Sequence, residues 1–296
     1  MSASSRVRLR AHAKINLDLR ILGVRPDGYH ELRTIFQTIA LHDVVTVESR
    51  RGAFELDGDA ALMPLDRTNL AWRAADLLWR AAGKRGSPSG ARIVIDKRIP
   101  SQAGLGGGSS DAAASLVGLN RVWRLGLSQA RLMAIGAALG ADVPFFLVGG
   151  TALGLGRGDE IYPLVDLPVR PIVVAWEGEG VSSAEAYAWY KAGAAGRRPV
   201  KAASPFMALG DEDLPALGND LEAPVEARWP AIRRLRRELT ATDALASRMS
   251  GSGSAVFALF AKVPAARRAA AAISGPGRRV LVTSTVGRLA GGHRVG

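Results

Sequence analysis

The sequence predicts an α+β protein built as two halves that meet near residue 165, and three observations carry that prediction. Residues 11–21, AHAKINLDLRI, alternate apolar and polar side chains almost without a break, the period of a half-buried strand. Residues 69–83, NLAWRAADLLWRAAG, place apolar side chains at helical spacing between a capping asparagine and a closing glycine. After Gly158 the texture changes and a second run of strand and helix patterns begins, which divides the chain into residues 1–165 and 166–296.

The elements follow in order. Along the first strand Ala11, Ala13, Ile15, Leu17, Leu19 and Ile21 point one way, and His12, Lys14, Asn16, Asp18 and Arg20 the other. RPDGYHEL (25–32) has the Pro-Asp-Gly chemistry of a turn, and TIFQTIAL (34–41) and DVVTVES (43–49) read as two further strands. The helix capped by Asn69 comes next, then ARIVIDKRIP (91–100), a strand that leaves for a loop at Pro100. A glycine cluster enters a helix that runs from Ala112 to about 123, followed by a helix from Ser128 to about 139. LGADVPFFLVGG (139–150) breaks at Pro144 into an apolar run. In the second half RPIVVAW (170–176) is a buried strand and 192–220 a loose segment rich in Ala, Gly and Pro. AIRRLRREL (231–239) is a basic helix, SGSGSAVFALF (250–260) a glycine loop into a strand, 264–273 a helix and RRVLVTSTV (278–286) a last strand.

Composition narrows the function classes. At 48% hydrophobic and 22% charged the 296 residues can bury ample core. No stretch nears the ~20 apolar residues of a membrane helix, and MSASSRVRLRAHAKIN carries arginines where a signal peptide needs its apolar segment, so a cytoplasmic protein without membrane partners is expected. The absence of cysteine removes disulfides, iron–sulfur clusters and thiolate zinc, and His12, His30, His42 and His293 are scattered without ligand spacing. The net charge of +12 is concentrated: residues 228–296 carry 13 Lys/Arg against Glu238 and Asp243. In AIRRLRREL the arginines stand between Ile232, Leu235 and Leu239, which favours a solvated helix face over a nucleic-acid surface.

AGLGGGSSDAAASL (103–116) is the stretch with the clearest chemistry. Gly104, Gly106, Gly107 and Gly108 run into the mouth of a helix, where glycines let the backbone approach a ligand and unpaired N–H groups and the helix dipole attract an anion. Ser109 and Ser110 could cap that helix. No Lys-Ser or Lys-Thr follows the last glycine, so the P-loop pattern fails, and the third glycine of the dinucleotide fingerprint is missing. A phosphate cradle of a third kind is indicated, with a mobile connector as the alternative. Lys14 and Asn16 on the polar strand face, and Asp142 alone between apolar neighbours, are the other polar groups out of place in a core.

Four segments, AKINLDLRILGVRPDGYHELRTIFQTI, IPSQAGLGGGSSDAAASL, LGADVPFFLVGG and MSGSGSAVFALF, resemble in order and spacing the motifs of the GHMP kinases, the small-molecule kinases named for galactose, homoserine, mevalonate and phosphomevalonate. RPDGYHEL is the discriminating piece and is similar to the branch that phosphorylates a cytidylylated methylerythritol. The resemblance implies an N-terminal domain like the second domain of ribosomal protein S5, a ferredoxin-like C-terminal domain, and an active site in the cleft between them. It implies ATP with Mg²⁺, the latter with no protein ligands assigned, and transfer of the γ-phosphoryl group to a tertiary alcohol. By the same resemblance Asp142 is the base, Lys14 its partner, and Asn16 a substrate contact. The triphosphate would lie on Pro100, Ser101, Gln102, Ala103, Gly104, Leu105, Gly106, Gly107, Gly108, Ser109 and Ser110, with Asn69 and Lys97 near the adenosine. Tyr29 and His30 would form the cytidine pocket with Tyr187 as a second ring, and Gly251, Ser252 and Gly253 would close on the phosphates or the erythritol. A different alcohol acceptor within the same superfamily, or a nucleic-acid-binding protein with an S5-like domain, are the competing readings, and the oligomeric state stays open between monomer and homodimer.

Overall fold

The computed structural model describes residues 5–178, 180–192 and 209–288. Two sheets organise it. In the first, β1 (Arg6–Val24) pairs antiparallel with β2 (His30–Ala53), whose other edge takes β4 (Ser89–Asp96) along one half and β5 (Thr151–Leu155) along the other. β3 (Glu55–Gly58) lies parallel to β4, and β6 (Glu160–Pro163) closes the far side against β5. The helices α1 (Leu70–Ala81), α2 (Gly107–Val122), α3 (Gln129–Leu139) and α4 (Val143–Val148) bury their apolar sides on this sheet through Leu78, Leu116, Leu119 and Phe145.

The second sheet has the order β10 (Arg278–Ser284), β7 (Pro171–Glu177), β9 (Val256–Leu259), β8 (Ala246–Met249), all antiparallel. It is packed by α5 (Ser183–Ala192), α6 (Glu222–Arg228), α7 (Pro230–Thr240) and α8 (Val263–Ile273). The first sheet ends at Pro163 and the second begins at Pro171. A third apolar cluster joins them: Ile15 and Leu17 of β1 and Ile35 of β2 pack with Ile172, Val174 and Phe257. Such a two-sheet core is a mixed α/β fold of two units sharing one buried seam.

Several expectations are corrected. TIFQTIAL and DVVTVES are one continuous strand, because β2 runs through both with partners on either edge. The first strand is buried on both faces, since Lys14, Asn16 and Asp18 are only 4%, 2% and 1% exposed. α2 begins at Gly107, five residues before Ala112, and its N-cap is Gly106 in the left-handed conformation (φ 71°), so neither Ser109 nor Ser110 caps it. Pro144 starts α4 in its first turn, where a missing N–H costs nothing. β3, β5, β6, α5, α6 and β8 are additional to the elements expected, and residues 193–208 of the loose segment 192–220, like His293, lie outside the described residues.

The arginine helix buries Ile232, Leu235 and Leu239 as expected and leaves Arg234 and Arg237 exposed, but some of its arginines are paired. Arg236 donates to both oxygens of buried Glu226 at 2.5 and 3.1 Å, Arg233 is 3.7 Å from the same carboxylate, and Arg234 pairs with Glu177 at 3.0 Å. The acids come from α6 and β7, so part of the helix's charge is matched inside the second unit. Among the described residues no helix is long and apolar enough to cross a membrane.

Candidate active site

A cleft of about 1160 Å³ opens along the seam, lined by both units. Its floor begins with β1. The backbone N–H of Lys14 donates to Leu105 O at 3.0 Å, which fastens the glycine loop to the strand. Lys14 Nζ then donates to Asn16 Oδ1 at 2.6 Å and lies 3.4 Å from Asp142 Oδ2. Asn16 donates in turn to Thr34 Oγ1 at 2.8 Å, and that hydroxyl donates to Asp18 O at 2.7 Å, so the amide cannot turn over without breaking the chain. Asp142 precedes α4 and makes no capping bond, and with its side chain 34% exposed the carboxylate is open to the cleft. An ammonium has three donors. Asn16 and Asp142 take two of those on Lys14, leaving one for an incoming oxygen.

The glycine loop fits beside this pair because side chains are missing. A Cβ at Gly106 would lie 2.6 Å from the Phe146 ring and 3.1 Å from Lys14 Cγ; at Gly104 it would strike Ser250 O at 2.0 Å. The first N–H groups of α2, at Gly107, Gly108 and Ser109, have no partner within the helix and face the cleft end of its dipole. Below them Lys97 Nζ, itself lining the cleft, is held by Asp43 at 2.6 Å and Asp111 at 2.9 Å. Desolvation pulls the Lys97 ammonium down, but the two carboxylates outweigh it and its pKa ends above the ordinary value. Burial, with Asp43 adding to it against Lys97, pushes the Asp111 carboxyl up to about 7.

Opposite the loop, His30 stacks on Tyr187 with centroids 5.0 Å apart and planes at 22°, and Tyr190 meets His30 edge-on. Desolvation and then Lys191 lower the His30 pKa, and its Nε2 is buried without a partner. Burial raises the Tyr187 phenol, with the Asp142 charge as the second cause. Tyr29 stands 58% exposed at the mouth with the Arg157 guanidinium 5.3 Å over its ring. From the second unit Gly251 and Ser252 complete the wall, and Ser252 Oγ is 3.1 Å from Ser183 Oγ.

The cleft therefore gathers Lys14, Asn16, Asp142, Tyr29, His30, Tyr187, Asn69, Lys97, Gly251 and Ser252, and the loop from Pro100 to Ser109 apart from Leu105. Three expected positions do not line it. The Leu105 side chain is core, Ser110 is fully buried behind the first turn of α2, and Gly253 packs on Met249 and Ile232. The sequence reading missed Thr34, which pairs with Leu19 across the strands, and Arg157, and neither has a local signal that would have found it. Among the described residues no group of three or more His, Cys, Asp or Glu side chains is gathered to hold a metal.

Comparison with known proteins decides the family. Residues 69–150 match the GHMP kinases N terminal domain and residues 206–278 the GHMP kinases C terminal domain. Over 282 residues the chain is 44% identical to the 4-diphosphocytidyl-2-C-methyl-D-erythritol kinase of Pelotomaculum thermopropionicum, covering 93% of this chain and 96% of the relative. The chain belongs to the GHMP kinases, in the 4-diphosphocytidyl-2-C-methyl-D-erythritol kinase branch. The kinase of that name from Moorella thermoacetica is 42% identical over 285 residues, with 94% and 98% of the two chains covered. A crystal structure of 4-(cytidine 5'-diphospho)-2C-methyl-D-erythritol kinase superposes with a TM-score of 0.78 at 38% identity, over 95% of this chain and 99% of that one. The two-unit α/β architecture is thus that of a GHMP kinase, and the protein is a phosphoryl-transferring enzyme.

Proposed function

We propose that the cleft transfers the γ-phosphoryl group of ATP to the 2-hydroxyl of 4-diphosphocytidyl-2-C-methyl-D-erythritol, a step of the methylerythritol phosphate route to isoprenoids. The observation that carries this reading is the convergence of Lys14 and Asp142, the glycine loop and the His30–Tyr187 stack on one cleft. In this reading the first unit, up to about residue 165, is the S5-like ATP-binding domain, the second is ferredoxin-like, and the active site lies between them.

The residues fit a nucleoside triphosphate. The cradle at Gly106 and Gly107 excludes any Cβ, since one at Gly107 would lie 2.9 Å from Ile99 and 3.1 Å from Lys97 Nζ, and the first-turn amides of α2 supply donors for phosphate oxygens. Asn69 lies at the adenosine end of that loop, and Lys97, held by Asp43 and Asp111, supports the loop from beneath. A Mg²⁺ ion that travels with ATP needs few protein oxygens, because the phosphates and water complete its shell. Ser110 Oγ is orphaned but buried behind the loop, and among the described residues no group of three or more His, Cys, Asp or Glu side chains is gathered for the ion, so no protein ligand is assigned to it. When bound, the metal neutralises phosphate charge.

The chain's own groups do the remaining work. Phosphoryl transfer depends on positioning and charge more than on covalent help, yet a tertiary alcohol is hindered and weakly acidic. Asp142 accepts the hydroxyl proton as the oxygen bonds to phosphorus and the bond to ADP breaks. The remaining donor of Lys14 steadies that oxygen, and Asn16 holds Lys14 from the far side. Tyr29, His30 and Tyr187 hold the cytosine, which places the distant hydroxyl against Asp142. A different acceptor alcohol is the remaining rival. It is tested by ADP release across a panel of alcohols: bare methylerythritol phosphate is expected to be a very poor acceptor, and equal use of it would leave only a general small-molecule kinase.

A further inference from the structure

The segment Gly218-Asn219-Asp220-Leu221-Glu222 lies in the part of the chain with the least sequence signal, yet it bonds to β1 and to the 250–253 glycine loop at once. Leu19 N donates to Gly218 O at 2.8 Å and Asp220 N to Leu19 O at 3.0 Å. Gly218 N donates to buried Asp18 at 2.9 Å, and Asp220 Oδ2 accepts from Ile21 N at 2.9 Å. Residues 218–220 thus run beside Asp18–Ile21 of β1, through an isolated parallel bridge between Leu19 and Asn219 just beyond Lys14 and Asn16. On the other side Glu222 accepts from Met249 N at 2.8 Å.

Asn219 sits at the centre of this junction. It is 7% exposed and every polar atom of its amide is engaged. Nδ2 donates to Met249 O at 2.9 Å and to Gly251 O at 2.7 Å, and Oδ1 accepts from Leu221 N at 2.9 Å. The loop it grips has no slack. Gly251 has φ 54°, and a Cβ there would lie 3.2 Å from Lys14 Nζ, 3.2 Å from Asn16 Oδ1 and 3.4 Å from Gly104 O. Ser250 Oγ also donates to Gly104 O at 2.9 Å, and Ala255 N to Ala103 O at 3.1 Å. The loop is therefore wedged between the reacting pair and the phosphate loop, and Asn219 is the side chain that holds two of its carbonyls from behind.

We propose that Asn219 is a positioning residue for phosphoryl transfer: by holding the Met249 and Gly251 carbonyls it seats the 250–253 loop against Lys14 and Asn16, and so fixes the ammonium between the acceptor hydroxyl and the phosphate loop. The proposal rests on the reading that Lys14 and Asp142 carry the transfer. A burial role alone would be satisfied by any well-packed side chain. Positioning requires two N–H donors aimed at two carbonyls.

Asn219→Asp separates the two roles. It keeps the shape and the acceptor for Leu221 N–H, but sets a carboxylate oxygen against both carbonyls. The expected result is a fall in kcat of roughly 10–100-fold, the scale of a misplacement of about 1 Å, with the KM for ATP moving by no more than about threefold. The second variant, Gly251→Ala, enters the same contact from the loop side without touching the buried amide, and is expected to lower kcat likewise. Each is then combined with Lys14→Ala. A residue acting through Lys14 loses its effect in that background, so the residual kcat should fall by less than about threefold more. Wild-type kcat in folded Asn219→Asp, or a full loss that persists without Lys14, overturns the proposal. If Asn219→Asp does not fold, wild-type kcat in Gly251→Ala overturns it in the same way. Asp142→Asn measured alongside keeps the failures apart: if that variant retains its rate, the reading of the reacting pair falls, whereas an impaired Asp142→Asn beside unimpaired Asn219→Asp and Gly251→Ala sinks the positioning role alone.

Discussion

Two buried lysines flank the glycine loop, and they have different jobs. Lys97 and Lys14 have side chains 5% and 4% exposed, so burial alone does not distinguish them. Lys97 faces two carboxylates at 2.6 and 2.9 Å, and Asp43 also accepts the backbone N–H groups of Arg98 and Ile99. Its charge is matched within the protein and serves to tie β4 to the start of α2. Lys14 has one amide at 2.6 Å and one carboxylate at 3.4 Å, and that carboxylate is a third exposed. A buried cation whose partners leave a donor unmatched beside an open cleft is arranged for a ligand. A buried cation with surplus carboxylate is a structural tie.

The largest expected effect falls on the unmatched side. Asp142→Asn keeps the volume but cannot take a proton, so kcat should drop about 10²–10⁴-fold, the usual worth of a general base, while ATP still binds. Steady-state rates with a nucleotide-binding titration check both halves, and near-wild-type kcat would erase the distinction drawn between the lysines. Next comes the matched side. Lys97→Met leaves Asp43 and Asp111 facing each other in the core, and breaking a buried pair in this way costs about 3–5 kcal/mol. Denaturant unfolding should therefore show the main defect. A raised KM for ATP with unchanged stability would instead make Lys97 a nucleotide contact.

How much of this was legible follows from where each partner lies in the chain. The glycine loop, Lys14, Asn16 and Asp142 could be read because their residue types sit in short patterns, an alternating strand and a glycine cluster entering a helix. Such patterns specify backbone, and they do not say which side chains turn away. Leu105, Ser110 and Gly253 belong to the right stretches yet face the interior. Asn219 was illegible for the opposite reason, since its partners are carbonyls 30 and 32 residues away. The exposed basic face of α7 was legible, but the pairing of Arg236 was not, because its partner Glu226 comes from α6.

A smaller effect compares the two ends of the cleft. Tyr29 is exposed and touches little but Arg157, whereas Tyr187 is packed against the second core and stacked on His30. Tyr29→Ala should weaken binding of the cytidylylated substrate by about 1–3 kcal/mol, the scale of base–aromatic stacking, and leave both Tm and ATP affinity in place. Tyr187→Ala should lower Tm as well, because its loss opens a gap in the core. Thermal melts with two ligand titrations separate the variants, and equal stability losses would mean that Tyr29 is only a packing residue.

The last expected effect is a slope, gradual in pH, and it probes the matched lysine from the acid side. Burial raises the Asp111 carboxyl from an ordinary value near 4 to about 7 in the folded protein. Between those two values the native state holds a proton that the unfolded chain has released. The unfolded state then binds fewer protons, so this group's contribution to stability is complete below about pH 4 and is lost as pH rises through 7, with a slope of at most about 1.4 kcal/mol per pH unit. Other carboxylates titrate in the same window, so wild-type stability alone does not isolate the group. The difference from Asp111→Asn does, because the amide has no proton to lose: the variant should gain on the wild type steadily from pH 4 to 7 and stay level above that. Urea unfolding of both proteins at half-unit steps reads the difference directly. Parallel curves across the window would mean that Asp111 is ionised throughout, and that Lys97 is held by two full charges.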